Sequence, residues 1–307
     1  ILGPLRAAGI PVCWTLHDFK LLCPESHFLS GGRVCEECRG GRFWRCAAKR
    51  CKKGSQAASA VAALEAYVHQ GLGVARDVGR FIAPSEFVRQ KFLEFGYSSE
   101  RISVLPHFLD GNPVVASGAG RYGLYAGTLM PFKGVGTLLR ALARGSPHPF
   151  HILGGGEMMD VYRRQAIELG LSQVVFRGFL SGTEWEAELS DAAYAVVPSE
   201  CYETFSFAAQ EPLARGIPVV ASNLGALPEL VKEGETGLLF PPGDAEALSD
   251  RICRIWCDST LRMRLGSQAK ELIGRRCDSK RYIEDLLGLY VEVGSTRISD
   301  HRIRKTR

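Results

Sequence analysis

From Tyr122 onward, short apolar runs alternate with longer stretches in which apolar residues recur every three or four positions. The runs "YGLYAG" (122–127), "FHIL" (150–153), "VVF" (174–176), "YAVVPS" (194–199) and "PVVAS" (218–222) are each closed by Gly, Pro or Ser, which predicts buried strands. Between them "GVGTLLRALAR", "MDVYRRQAIELG", "TEWEAELSDA" and "SFAAQEPLARG" carry helical spacing. Strict alternation of strand and helix builds βαβ units, so this half is expected to be a doubly wound parallel sheet with helices on both faces.

Upstream the same pattern is incomplete. "PVCWTLHD" (11–18) reads as a strand, a polar Cys-rich insertion runs to about Gly54, and an alanine-rich helix starts near Gln56. "RFIAPS" (80–85) is a second strand, followed by a helix around "EFVRQKFLEFG" that Ser85 is placed to cap. This part is α/β as well, but a whole doubly wound domain needs several more strands before residue 1. The stretch "PHFLDGNPVVASGAG" (106–120) mixes Pro, Gly and Ser without period and reads as a hinge. The expected organisation is an incomplete N-terminal Rossmann-like domain (1–112, with the insertion at about 23–54) and a second such domain at 113–275. A helix at 276–295 is expected to return toward the first domain, ahead of a basic tail at 296–307. The chain is therefore expected to be a fragment truncated at its N-terminus.

Composition narrows the class. With 46% apolar and 23% charged residues among 307, the chain is globular, and disorder or a collagen-like rod is excluded. The longest mild apolar run, Ala57 to Leu64, is far short of the roughly 18 residues a membrane span needs. No secretory signal is visible, so a cytoplasmic location is expected, at most at the inner face of a membrane. The net charge of +5 is unevenly placed: residues 1–60 hold ten Lys/Arg against four acids, and 297–307 hold five against one. Such ends suit phosphate-bearing ligands, nucleic acid or an anionic membrane surface, or are simply solvated; they permit peripheral membrane contact.

Six of the ten cysteines fall within the first 51 residues. Cys35-x2-Cys38-x7-Cys46-x4-Cys51 supplies four thiolates, with a tight first knuckle of the sort that holds tetrahedral zinc. Free thiols on a loop are the alternative reading, with Cys23 a spare ligand. Four thiolates leave no open coordination position, so such a zinc would be structural.

The segment "PSECYETFSFAAQEPLARG" (198–216) is the richest in chemistry. A strand ends at Ser199 and a helix opens near Phe205, placing free amides beyond the carboxyl end of a strand, where open α/β sheets bind ligands. Helix N-termini favour phosphate. Glu203 precedes those amides and Glu211 follows two turns later on a similar face. Two carboxylates beside an anion site make sense when the ligand also presents hydroxyls, as a sugar nucleotide does. Spacing alone equally allows a loop Glu and a solvated helix Glu. Lys133 in "YAGTLMPFKG" (125–134) follows another strand, within reach of a diphosphate or simply on the surface. "ILGGGEMM" (152–159) is a Gly-rich strand-to-helix turn without the Walker lysine.

In order, these segments resemble glycosyltransferase family 4, retaining nucleotide-sugar-dependent transferases of the GT-B fold. The family's E-x7-E signature stands as Glu203 to Glu211, followed by "ARGIPVVASNLGALPELVKEGETGLLFPPGD"; "GTLMPFKG", "GGGE" and "TLHDF" match further segments. The resemblance implies that Glu211 holds the donor ribose and Lys133 the diphosphate. Glu203 would meet hydroxyls of the transferred sugar, and the Phe205 and Ser206 amides the phosphates. Thr128 and Gly155 would line the donor site, Thr128 standing where many relatives have Arg. His17 would approach the reacting sugar. The implied chemistry moves a sugar from a UDP-, GDP- or ADP-sugar to a glycan or lipid-linked acceptor with retention, without a catalytic metal. Two other readings stay open: a nucleotide-sugar binder without turnover, and, more remotely, a zinc-stabilised nucleic-acid binder. Nothing in 122–245 is patterned for nucleic acid, so no such partner is expected.

Overall fold

The computed structural model describes residues 2–109, 120–145 and 147–305. The domain boundary expected at 112/113, most of the expected hinge and the side chains of the tail 296–307 lie outside the described residues. The chain divides into two compact units, Ile1–Phe108 with Asp278–Arg307, and Leu109–Cys277.

In the first unit, β1 (Cys13–Thr15), β2 (Arg80–Ala83) and β3 (Ile102–Val104) form a parallel sheet in that order, with Trp14 opposite Phe81 and Phe81 opposite Ile102. The helix expected from Gln56 is α1 (Gln56–Gly71), and β2 leads into α2 (Glu86–Glu94). Ser85 caps α2 as expected, its Oγ accepting from the Val88 N–H at 3.2 Å. Phe81, Ile82, Val88 and Phe92 are buried between sheet and helix. The helix Ser279–Lys305 belongs to this unit, where Tyr282 packs on Phe108 and Glu292 pairs with Arg80.

The second unit holds six parallel strands: β4 (Tyr122–Ala126), β5 (Phe150–Leu153), β6 (Val174–Gly178), β7 (Ala192–Val197), β8 (Val219–Ser222) and β9 (Gly237–Phe240), in the spatial order β9-β8-β7-β4-β5-β6. Every residue of β7 and β8 is buried, as required of strands covered on both faces. One face is closed by α3 (Val135–Ala143), α4 (Met159–Glu168) and α7 (Ala245–Cys257); the other by α5 (Gly182–Asp191), α6 (Phe207–Ala214) and α8 (Ser259–Arg276). The reason is visible in α3, where Val135, Leu138, Leu139 and Leu142 recur on one stripe and are all buried. Each such side chain contributes roughly 1.5–3 kcal/mol by leaving water. Both β3 and β9 are short strands that the apolar pattern did not single out.

Candidate active site

The strand order reverses at β4, which pairs with β7 on one side and β5 on the other. Chain segments leaving adjacent strands in opposite directions open a crevice at their carboxyl ends. Three loops meet there: 127–133 after β4, 154–156 after β5 and 198–206 after β7. Their close approach is fixed by glycine. A Cβ on Gly134, which has φ of 73°, would lie 1.8 Å from the Pro198 carbonyl oxygen, and one on Gly154 would lie 1.9 Å from that of Gly127.

Lys133 and Glu203 come together in this crevice, Nζ to Oε1 at 2.7 Å, and the Ser199 hydroxyl donates to the same carboxylate oxygen at 2.5 Å. Burial works against the Lys133 charge, but the Glu203 carboxylate outweighs it and holds the ammonium above its ordinary pKa. The loop around Glu203 is pinned by the Glu200 N–H on the Phe132 carbonyl, by Thr137 donating to Glu200, and by the Ala226 N–H on the Glu203 carbonyl at 3.0 Å. The helix expected to open near Phe205 instead begins at Phe207, with Ser206 as its N-cap. Phe205 and Ser206 are therefore buried in the turn that leads into α6, and the helix runs on through Pro212 to Ala214.

Glu211 faces a cavity of about 670 Å³ that it lines together with Thr128, Gly155, Phe179 and Trp185. Its carboxylate accepts from the Trp185 indole N–H at 2.9 Å. Sequence reasoning missed Ser199 and Trp185 as partners of the two carboxylates. A Trp in an otherwise amphipathic helix was the available signal, since a half-buried indole N–H seeks an acceptor.

His17 lies in the first unit, exposed, with its ring stacked on His107 at a centroid separation of 5.2 Å. In the same unit Cys38 and Cys46 are buried with Phe43, Ala63 and Ala66, and Cys51 packs against them. Burial, reinforced by neighbouring thiols, pushes both Cys38 and Cys46 up to about 12. Among the described residues, no group of three or more His, Cys, Asp or Glu is arranged to hold a metal ion, so the zinc expected at Cys35, Cys38, Cys46 and Cys51 has no formed ligand set here. No described helix is long and apolar enough to cross a membrane.

The family described as "Glycosyl transferases group 1" matches residues 115–272, just over half of the chain. The chain belongs to the group 1 glycosyl transferases. The D-inositol 3-phosphate glycosyltransferase of Corynebacterium glutamicum (strain R) is 34% identical over 158 residues, covering 48% of this chain and 38% of that protein. The MMP alpha-(1->4)-mannosyltransferase of Mycolicibacterium hassiacum is 32% identical over 213 residues, covering 66% of this chain and 52% of that protein. The chain thus matches about half or less of these relatives' lengths. The solved structure of Anabaena Alr3699/HepE in complex with UDP and glucose superposes with a TM-score of 0.72 at 20% identity, covering 94% of this chain and 73% of that one. At that identity the likeness concerns the fold, the GT-B class implied by the family resemblance, and it agrees with the doubly wound α/β sheet that the alternating pattern led to.

Proposed function

We propose that this group 1 glycosyl transferase binds a nucleoside-diphosphate sugar in the crevice between β4 and β7 and transfers the sugar to a glycan or lipid-linked acceptor. The observation that carries this reading is the Lys133–Glu203 pair at the switch point of the sheet, beside the cavity lined by Glu211. A diphosphate needs a cation and oriented amides; Lys133 and the start of α6 supply them. A ribose offers two adjacent hydroxyls; Glu211 accepts from them as a carboxylate. The cavity wall formed by Thr128, Gly155 and Phe179 takes the nucleoside. The support from comparison is the fold neighbour solved with UDP and glucose.

The bond from the anomeric carbon to the diphosphate breaks in the reaction, so negative charge grows on the leaving oxygens and positive character on the sugar ring. Lys133 is most useful as that leaving-group charge develops, the condition under which a charged group lowers a barrier. Ligand phosphate competes with Glu203 for the ammonium, freeing the carboxylate to accept from sugar hydroxyls. The reaction proceeds with retention, the departing phosphate taking the acceptor proton. Incubation with UDP-, GDP- and ADP-sugars, with release of the nucleoside diphosphate as readout, tests the reading. One donor is expected to be consumed, and Lys133→Ala to slow consumption at least about a hundredfold. Equal consumption by wild type and Lys133→Ala would remove Lys133 from the mechanism.

A further inference from the structure

We propose that Trp185 is a positioning residue for the donor, whose indole N–H fixes the Glu211 carboxylate in the pose that receives the ribose hydroxyls. This rests on the reading of Glu211 as the ribose-holding group.

The two carboxylates of the crevice are held in different ways. Glu203 is bonded to a cation, Lys133. Among the described residues, the donor to the Glu211 carboxylate is the neutral indole of Trp185, Nε1 to Oε2 at 2.9 Å. A neutral donor fixes geometry without neutralising charge. An ionised carboxylate has about four lone-pair sites, so one indole bond leaves most of its accepting capacity for a ligand. Trp185 can only donate, so it never competes with Glu211 as an acceptor for the ribose hydroxyls.

The bond also spans two elements. Trp185 stands on α5 and Glu211 on α6, and both side chains line the same cavity. The next residue on α5, Glu186, receives Arg215 from the end of α6 at 2.6 and 3.2 Å, and Arg215 also donates to the Glu211 carbonyl at 3.0 Å. Glu211 is therefore held at its backbone by Arg215 and at its carboxylate by Trp185. The Glu186–Arg215 pair ties the helices together whether or not Trp185 donates, which separates packing from positioning. A carboxylate ordered before the ligand arrives spares the complex the cost of ordering it, which is how pre-organisation strengthens binding.

The ligand itself supplies the control. Calorimetric titration of the full chain with UDP, GDP and ADP, and with the 2′,3′-dideoxy form of each, reads the ribose contribution directly. Trp185→Phe keeps an aromatic wall and deletes the N–H. For the nucleotide that binds, Trp185→Phe is expected to weaken the ribose form about tenfold and its dideoxy form less than about twofold. In a Glu211→Ala background, the Trp185 substitution is expected to have no further effect. Equal weakening of ribose and dideoxy forms would show Trp185 to be a packing wall and overturn the proposal, as would unchanged binding of both. A wild-type chain that binds none of the six nucleotides overturns the donor-site reading itself, a result distinct from selective failure at Trp185.

Discussion

Lys133 Nζ and Glu203 Oε1 lie 2.7 Å apart although 70 positions separate them in sequence. The pair exists because β4 and β7 are neighbours in the sheet, so the loops that follow them share one crevice. The ammonium is held charged by the carboxylate despite its burial. Its folded pKa therefore lies above the unfolded value, and its stabilisation is complete below about pH 10.4 and lost as pH rises through the folded value. Lys133→Met is expected to destabilise the protein by roughly 2 kcal/mol, evenly between pH 6 and 9. Urea unfolding at pH 7.5 and in steps above pH 10 checks this, with the gap to wild type closing only on the alkaline side.

Gly134 tests how tightly the crevice is built. Its left-handed φ and the Pro198 oxygen at 1.8 Å from a hypothetical Cβ leave no room for a side chain. Gly134→Ala is expected to cost about 2 kcal/mol or more and to lower the thermal midpoint by several degrees. Differential scanning calorimetry against Gly170→Ala, at a similar left-handed φ of 69° and with nothing within 4 Å of its Cβ, separates the clash from the loss of a left-handed glycine.

His148 is buried, its Nε2 bonded to the Tyr194 hydroxyl at 2.6 Å and its ring stacked on Trp256. Burial lowers its pKa to about 4. Because the folded value lies below the unfolded value near 6.5, its stabilisation is complete above about pH 6.5 and drains away as pH falls toward 4, by ~3 kcal/mol in all. His148→Phe is expected to flatten the fall in stability between pH 6.5 and 4, whatever its offset at pH 7. An unchanged slope in urea unfolding over that range would show that His148 is not held neutral by the fold.

The cysteines differ in reactivity because the thiolate is the nucleophile. Cys253 and Cys257 are exposed on α7, whereas Cys38 and Cys46 are buried and pushed up to about 12. Iodoacetamide at pH 8, followed by peptide mass spectrometry, is expected to label the exposed pair at least about ten times faster. Packing protects the buried thiols, so a chelator is expected to leave that protection in place. Rapid labelling after chelation would instead reveal thiolates held by a metal.

The doubly wound unit was legible in the sequence because buried parallel strands are written as continuous apolar runs, as in Ala192–Val197. The strands Ile102–Val104 and Gly237–Phe240 were not, since two or three apolar residues become a strand only when a neighbour is there to pair with. Glu203 and Glu211 stood out by spacing and motif. Their partners did not: Ser199 was read as the end of a strand, and Trp185 reaches Glu211 only because α5 and α6 pack together. The cysteine spacing fitted zinc, but spacing does not report side-chain direction, and the chain buries Cys38 and Cys46 against Phe43 and Ala63.

The central claim, that the crevice is a nucleoside-diphosphate site, is tested most directly by calorimetric titration of wild type and Glu211→Ala with UDP, GDP and ADP. One nucleotide is expected to bind with one-to-one stoichiometry, and Glu211→Ala to weaken it at least about tenfold. Binding of none of the three, or equal binding by both proteins, would contradict the account.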